Sequence, residues 1–183
     1  MIEVEIKAKI EDNIVAYERI KELGGIYSHS EKQHDIYFNG ETKDFKKSDE
    51  ALRIREIPDG EDDIKRILTY KGPKLDTETK TRKEIEVTVD NTENLIEILV
   101  NIGYRPSAIV NKMRRIFTYE DYTITVDKLN KLGYYMEIEY VTNEDDDIDR
   151  IQSEIFSIFE KLGITDGFEK ASYLELLEEN NIN

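Results

Sequence analysis

Hydrophobic and polar residues alternate from the first positions of the chain. In MIEVEIKAKI, Ile2, Val4, Ile6 and Ala8 fall on one face of an extended strand, and Glu3, Glu5, Lys7 and Lys9 fall on the other. The same two-residue period predicts strands over Gln33–Phe38, Ala51–Glu56, Asp63–Lys71, Arg82–Val89, Asn111–Tyr119, Tyr122–Asp127 and Tyr134–Val141. Glu120-Asp121 reads as a tight hairpin, and Lys128–Leu132 as a second loop. Lys43–Asp49 and Pro73–Thr81 read as exposed polar loops.

Helical periodicity separates these strands. Asp12 is placed to cap a helix with an apolar stripe of Ile14, Val15, Ile20 and Leu23, which stops at Gly24-Gly25. A second helix is predicted from Thr92 to Ile102, with Leu95, Ile98, Leu99 and Ile102 inward and Gly103 as its stop. A third follows the acidic stretch Glu144–Asp147, whose charge suits a helix N-terminus. It carries Ile148, Ile151, Ile155, Ile158, Phe159 and Leu162, and ends at Gly163. A short last helix covers Ala171 to Glu178. No linker divides the chain, so one domain over residues 1–183 is expected, of α+β class.

Composition narrows the chemistry. Charged residues make up 37% of 183 positions, and the formal net charge is −15. Such a surface repels nucleic acid and anionic membranes, so a phosphate ligand must meet a local basic pocket. There is no cysteine, which excludes thiolate metal sites. No apolar run approaches the ~20 residues of a membrane span, and the N-terminus lacks a signal-peptide layout. A soluble cytoplasmic protein is the expectation.

Charged residues then gather on one face of strand after strand. Glu3, Glu5 and Lys7 form the first set, and Arg53 and Arg55 the second, with Leu52 and Ile54 opposite. Arg82, Glu84 and Glu86 alternate with Ile85 and Val87. Lys112 and Arg114 share a face, Lys71 ends another strand, and Thr123, Thr125 and Asp127 oppose Ile124 and Val126. Glu137 and Glu139 oppose Met136, Ile138 and Tyr140. On any single strand, a charged face is most simply solvated. Repetition over six strands, with acids and bases mixed on the same face, favours a barrel whose apolar side lies outward under helices. Its interior is then a charged tunnel, tolerable only if the charges pair or a ligand neutralises them. Arginine forks suit phosphate, and clustered carboxylates suit a hard cation such as Mg²⁺ or Mn²⁺. Together they describe a site for a metal-bound polyphosphate. No Walker A or GxGxxG motif is present.

EVEIK, QHDIYFN, DEALRIRE, TYKGP, RKEIEV, KMRR, VDKLNKLGYYMEIE and KASYLELL follow in that order along nearly the whole chain. This series resembles the CYTH superfamily, the triphosphate tunnel metalloenzymes, in the branch similar to class IV adenylyl cyclases. The resemblance implies an eight-stranded antiparallel tunnel barrel flanked by helices, with a triphosphate and a divalent metal inside. It implies Glu3, Glu5, Glu137 and Glu139 as metal ligands, with Glu84 and Glu86 facing the same space. Lys7, Arg53, Arg55, Lys71, Arg82, Lys112 and Arg114 would hold phosphate. Lys170 and Tyr173 match a KxSY segment that helps close the tunnel, and Lys170 joins the phosphate-binding set. Lys7, Arg55, Lys71 and Asp127 are the residues expected to act in catalysis. Lys128 and Lys131 stand where that branch often carries acids. The family often forms dimers, so a homodimer is also implied.

Other charged and polar residues receive structural assignments. Arg115 and Lys83 are out of phase with the inward set and are read as outside. His29 and His34 are too isolated to form a zinc site. The eleven tyrosines are read mostly as packing or rim residues. Three functions stay open: an adenylyl cyclase making cyclic AMP and pyrophosphate, a triphosphatase acting on tripolyphosphate, thiamine triphosphate or nucleotides, and a module that binds polyphosphate or nucleotide without turnover. A structural barrel with solvated charged faces is a fourth reading.

Overall fold

A computed structural model describes residues 2–60, 63–75, 81–143 and 146–181. Residues 76–80 of the expected Pro73–Thr81 loop, and 144 and 145 of the acidic stretch, lie outside the described residues. Eight strands occur: β1 (Ile2–Ile10), β2 (Ile26–Gly40), β3 (Ala51–Asp59), β4 (Asp63–Lys74), β5 (Arg82–Thr88), β6 (Tyr104–Tyr119), β7 (Tyr122–Leu129) and β8 (Gly133–Thr142). Four helices flank them: α1 (Asn13–Leu23), α2 (Thr92–Asn101), α3 (Ile148–Lys161) and α4 (Tyr173–Glu179). The strands close into a barrel in the order β1-β5-β4-β3-β2-β6-β7-β8, every pair antiparallel. Among the described residues no helix is long and apolar enough to cross a membrane.

The alternation explains which way each strand faces. Val4, Ile6, Ile124, Val126, Met136 and Ile138 point outward from β1, β7 and β8. They are covered by Ile151, Ile155, Ile158 and Phe159 of α3 and by Ala16 and Ile20 of α1. A second coat packs Leu99 of α2 on Phe38 and Ile54. A third cluster differs in kind. Val110, Leu129 and Tyr135 share the inward face with Lys112 and Asp127, and they meet Tyr173 and Leu176 of α4. This helix therefore plugs one end of the barrel.

Among the described residues the seam between β1 and β5 is short, with Ile2↔Lys83 and Glu3↔Arg82 paired. Further along β1, a strap from the C-terminal part of the chain takes over. Lys9 N donates to Gly167 O at 2.9 Å, Glu169 N donates to Lys7 O at 2.8 Å, and Ala8 bridges Phe168. Gly167 has a φ of +73°, and an added Cβ would stand 3.2 Å from the Lys9 carbonyl oxygen, so the strap needs glycine there. From it the chain enters α4 through a capping box of Ser172 and Glu175.

Several expectations need correction. β2 begins at Ile26 and β6 at Tyr104, well before the predicted starts. The first half of β2 is exposed on both faces, so it carries no hydrophobic alternation to read. In α1 the buried face is Ala16 and Ile20, and Ile14 and Val15 face solvent. In α2, Leu99 is buried, but Ile98 and Ile102 are exposed. The 43–49 loop is not wholly polar: Phe45 is buried and stacks on Tyr104 at 5.4 Å between ring centroids. β4 runs through Pro73, which the ladder accommodates at a register shift between Lys71 and Lys74. β7 continues to Leu129, shortening the expected 128–132 loop.

Phe159 has no solvent exposure and sits where α3 meets the barrel. Phe159→Ala is expected to lower stability by about 3–5 kcal/mol, read from denaturant unfolding.

Candidate functional site

Side chains directly opposite each other in a ladder share a face. That rule brings the predicted residues together around the barrel. Glu5 lies opposite Glu139 and Lys7 opposite Glu137. Lys71 lies opposite Glu84, and Arg114 opposite Asp127. Glu5, Glu139, Glu137, Lys71, Glu84 and Arg114 line a cavity of about 410 Å³, together with Glu3, Arg53, Arg55, Arg82 and Lys112, whereas Lys7 and Asp127 are buried outside that lining. Lys170, the 45–51 segment and α4 also contribute to its lining.

Within the tunnel, three carboxylates converge. One oxygen from each of Glu3, Glu5 and Glu139 lies within 4.8 Å of the other two. Three hard oxygen donors at that spacing fit Mg²⁺ or Mn²⁺. The other predicted metal ligands are not part of this trio, although Glu84 is hydrogen-bonded to Glu3. Glu137 is ion-paired with Arg114. Glu84 pairs with Lys71, whose ammonium also lies 3.2 Å from Glu3. Glu86 is half-exposed and accepts from Thr69 Oγ1 at 2.8 Å.

Electrostatics act unevenly on the carboxyls gathered here. Burial, the Glu3 charge and then Glu5 push Glu139 up to about 8, although Arg114 opposes them. Glu84 also rises, through burial and the adjacent Glu3, against the pull of Lys71. Burial likewise opposes ionisation of Glu3, but the Lys71 charge and hydrogen bonds outweigh it and hold this carboxyl low.

The bases sit deeper. Lys7 is almost fully buried; its ammonium donates to Ala171 O and lies 4.1 Å from the Tyr173 ring centroid. Lys112 stacks on the other approach to the same ring at 4.8 Å. Burial and the nearby Arg114 push Lys112 down to about 8, with Asp127 opposing. Asp127 has no exposure; Arg114 Nε donates to its Oδ1 at 2.7 Å, and Nη2 and Lys112 Nζ donate to its Oδ2 at 2.6 and 3.1 Å. Burial resists its charge, but Arg114 and Lys112 hold its carboxyl below the usual range. Arg82 lies 3.7 Å from Asp49, which also binds Lys74 Nζ at 2.7 Å.

Some residues that line the cavity or hold its lining in place escaped the sequence reading. Asp35 is buried and grips Arg55; it alternates with Ile36 and Phe38, so the period-two rule could have found it. Thr69 and Tyr37 carry no charge to mark them. Asp49 and Lys74 join the lining through a loop and a strand irregularity, which no periodicity announces.

Two outcomes follow from this geometry. Mn²⁺ must displace the Glu139 proton while the pH is below about 8. Its affinity, measured by calorimetry, is therefore expected to climb with pH, by up to about tenfold per unit, and to level above that value. Asp127→Ala would leave Lys112 and Arg114 buried without their shared acid. A stability loss of about 3–5 kcal/mol is expected in denaturant unfolding.

Comparison with known proteins places this tunnel in a family. A CYTH domain matches residues 1–173. A Methanocaldococcus jannaschii protein named as a putative adenylate cyclase is 39% identical over 177 residues, 96% of this chain and 98% of that protein. A Pyrococcus horikoshii protein of solved structure superposes with a TM-score of 0.88 at 37% identity, covering 97% of this chain and 99% of the other. A Hippeastrum protein, described as a putative adenylyl cyclase with a dominant triphosphatase activity, shares the fold at a TM-score of 0.67 and 17% identity, with 98% and 95% of the two chains covered. The chain belongs to the CYTH domain family, and its closed barrel is the triphosphate-tunnel fold of that family.

Proposed function

We propose that this protein is a divalent-metal-dependent enzyme that breaks a phosphorus–oxygen bond of a triphosphate held in the tunnel, with conversion of ATP to cyclic AMP and pyrophosphate as its reaction. One observation carries the reading: the Glu3, Glu5 and Glu139 carboxylates share a cavity with Lys71, Arg53, Arg55, Lys112 and Arg114. A bare phosphate binder needs bases more than converging acids, which weighs against a binding module without turnover. The name of the Methanocaldococcus jannaschii relative supports the cyclase.

Chemistry of this kind is mostly positioning and charge stabilisation. Arg53, Arg55, Lys112 and Arg114 would hold the phosphate chain, and Lys7 and Lys71 would meet charge developing on the leaving pyrophosphate. Glu3, Glu5 and Glu139 would hold Mg²⁺ or Mn²⁺, which supplies Lewis-acid charge to phosphate oxygens when bound. In the cyclase reaction the ribose 3′-hydroxyl gives its proton to water, its oxygen bonds to the α-phosphorus, the bond from that phosphorus to the bridging oxygen breaks, and pyrophosphate leaves with the bridging oxygen. Asp127 suits an orienting role, because both its oxygens are committed to Arg114 and Lys112 and it stays ionised. Hydrolysis is the second reading: the Hippeastrum protein of this fold is described with a dominant triphosphatase activity. Water would then attack the terminal phosphorus in the same cradle.

Incubation with Mg²⁺ or Mn²⁺ and, separately, ATP, tripolyphosphate and thiamine triphosphate, followed by chromatography, tests this. Cyclic AMP with pyrophosphate is the expected product pair. Orthophosphate without cyclic AMP replaces the cyclase with the triphosphatase. No turnover of any substrate, with binding retained, overturns both enzyme readings. Glu5→Gln is expected to cut turnover by about a hundredfold or more while the melting temperature stays near that of the parent.

A further inference from the structure

Arg55 and Arg114, on neighbouring parts of the barrel wall, are each held by an aspartate in the same way, but only Arg114 also reaches the carboxylate trio. Arg114 and Asp127 are opposite each other in the β6–β7 ladder, and Asp35 and Arg55 are opposite each other in the β2–β3 ladder. Asp35 is 1% exposed. Arg55 Nε donates to its Oδ1 at 2.7 Å and Arg55 Nη2 to its Oδ2 at 2.7 Å, while Arg53 Nη1 stands 3.5 Å from Oδ2. This bidentate fork fixes the plane of the Arg55 guanidinium and leaves its remaining nitrogen for the cavity that Arg55 lines. Arg53 is anchored as well, with Nη2 donating to Thr69 at 3.2 Å. Its Nε is buried and has no hydrogen-bond partner, an orphan donor in a lining otherwise rich in pairs.

The bases on the flanking strands, Lys71 of β4 and Arg114 of β6, are committed differently. Lys71 rests on Glu3, and Arg114 reaches Glu139 at 3.3 Å. A cation entering the trio competes with both for those carboxylates. Arg53 and Arg55 pair with Asp35 and Glu86, neither of which belongs to the trio.

We infer that Asp35 is a positioning residue that presets Arg55 and Arg53 as a phosphate anchor working without metal, so that one end of a polyphosphate chain is gripped before and independently of the cation. This rests on the triphosphate reading of the tunnel. Burial opposes the Asp35 charge, but Arg53 and Arg55 hold it ionised, so the anchor stays assembled at neutral pH.

The test uses calorimetry on the full chain, with tripolyphosphate in the presence of a chelator and, separately, Mn²⁺ without phosphate. The parent protein is expected to bind tripolyphosphate with no metal present. Asp35→Asn, which turns an N–H toward the guanidinium, should weaken that binding by about tenfold or more and leave Mn²⁺ affinity unchanged. Asp35→Glu should restore part of the loss. Thermal unfolding of each variant accompanies the titrations. If Asp35→Asn does not fold, Arg55→Lys keeps the charge, gives up the fork and should show the same split. Phosphate affinity equal to the parent's, or phosphate and Mn²⁺ affinities falling together, overturns the inference. Parent binding that appears only with metal overturns it too, and leaves the proposed function standing. No tripolyphosphate binding with or without metal overturns both.

Discussion

Charge balance inside a closed barrel governs this molecule. A sheet that closes on itself removes solvent from its inner faces, and an ion placed there without a partner is severely destabilising. The tunnel answers with acids and bases on neighbouring strands. Lys71 lies between Glu3 and Glu84, Arg114 among Asp127, Glu137 and Glu139, and Arg55 against Asp35. The balance is not complete. Burial first, and then the Glu3 charge, push Glu139 and Glu84 up to about 8, against the pull of Arg114 and Lys71. A small hard cation fits the Glu3, Glu5 and Glu139 carboxylates, and a phosphate chain fits the bases that the cation would release.

The outer shell of the barrel serves the inner one. Strands with one polar face need their apolar face covered; α1 and α3 cover β1, β7 and β8, and α2 packs on β2 and β3, while Ile85 and Val87 of β5 stay exposed. The plug at the end of the barrel is more specific. Tyr135 and Tyr173 meet at 5.4 Å between ring centroids, and the Tyr173 ring takes Lys7 and Lys112 on its π face. The plug thereby closes an apolar end and also steadies two ammonium groups that have little water to solvate them.

Much of this was legible in the chain because a strand inside a barrel is forced to alternate. EVEIK, ALRIRE and RKEIEV each declare an inward charged face, and the ordered series of motifs carried the family and the barrel. Legibility failed where that force is absent. The ribbon of β2 before Gln33 is wet on both sides and shows no period. The α1 face was misplaced because Ile14 and Val15 outweigh the small Ala16 that actually faces the core. The grouping of acids was also hidden. Parity puts Glu84, Glu137 and Glu139 on one interior, but which carboxylates meet depends on where Lys71 and Arg114 reach across it.

The strap across β1 bears on how the chain reaches this state. β1 is the earliest strand, and its ladder partners are β8, β5 and the 167–169 segment, all distant in sequence. Glu3 meets Lys71 of β4, but Glu5 and Lys7 face their ladder partners Glu139 and Glu137 only when β8 arrives. Each such meeting closes a long loop, a search that slows barrel formation relative to local helical contacts. The seam that admits the strap is therefore also the step at which folding is committed: the first strand of the chain becomes stable among the last.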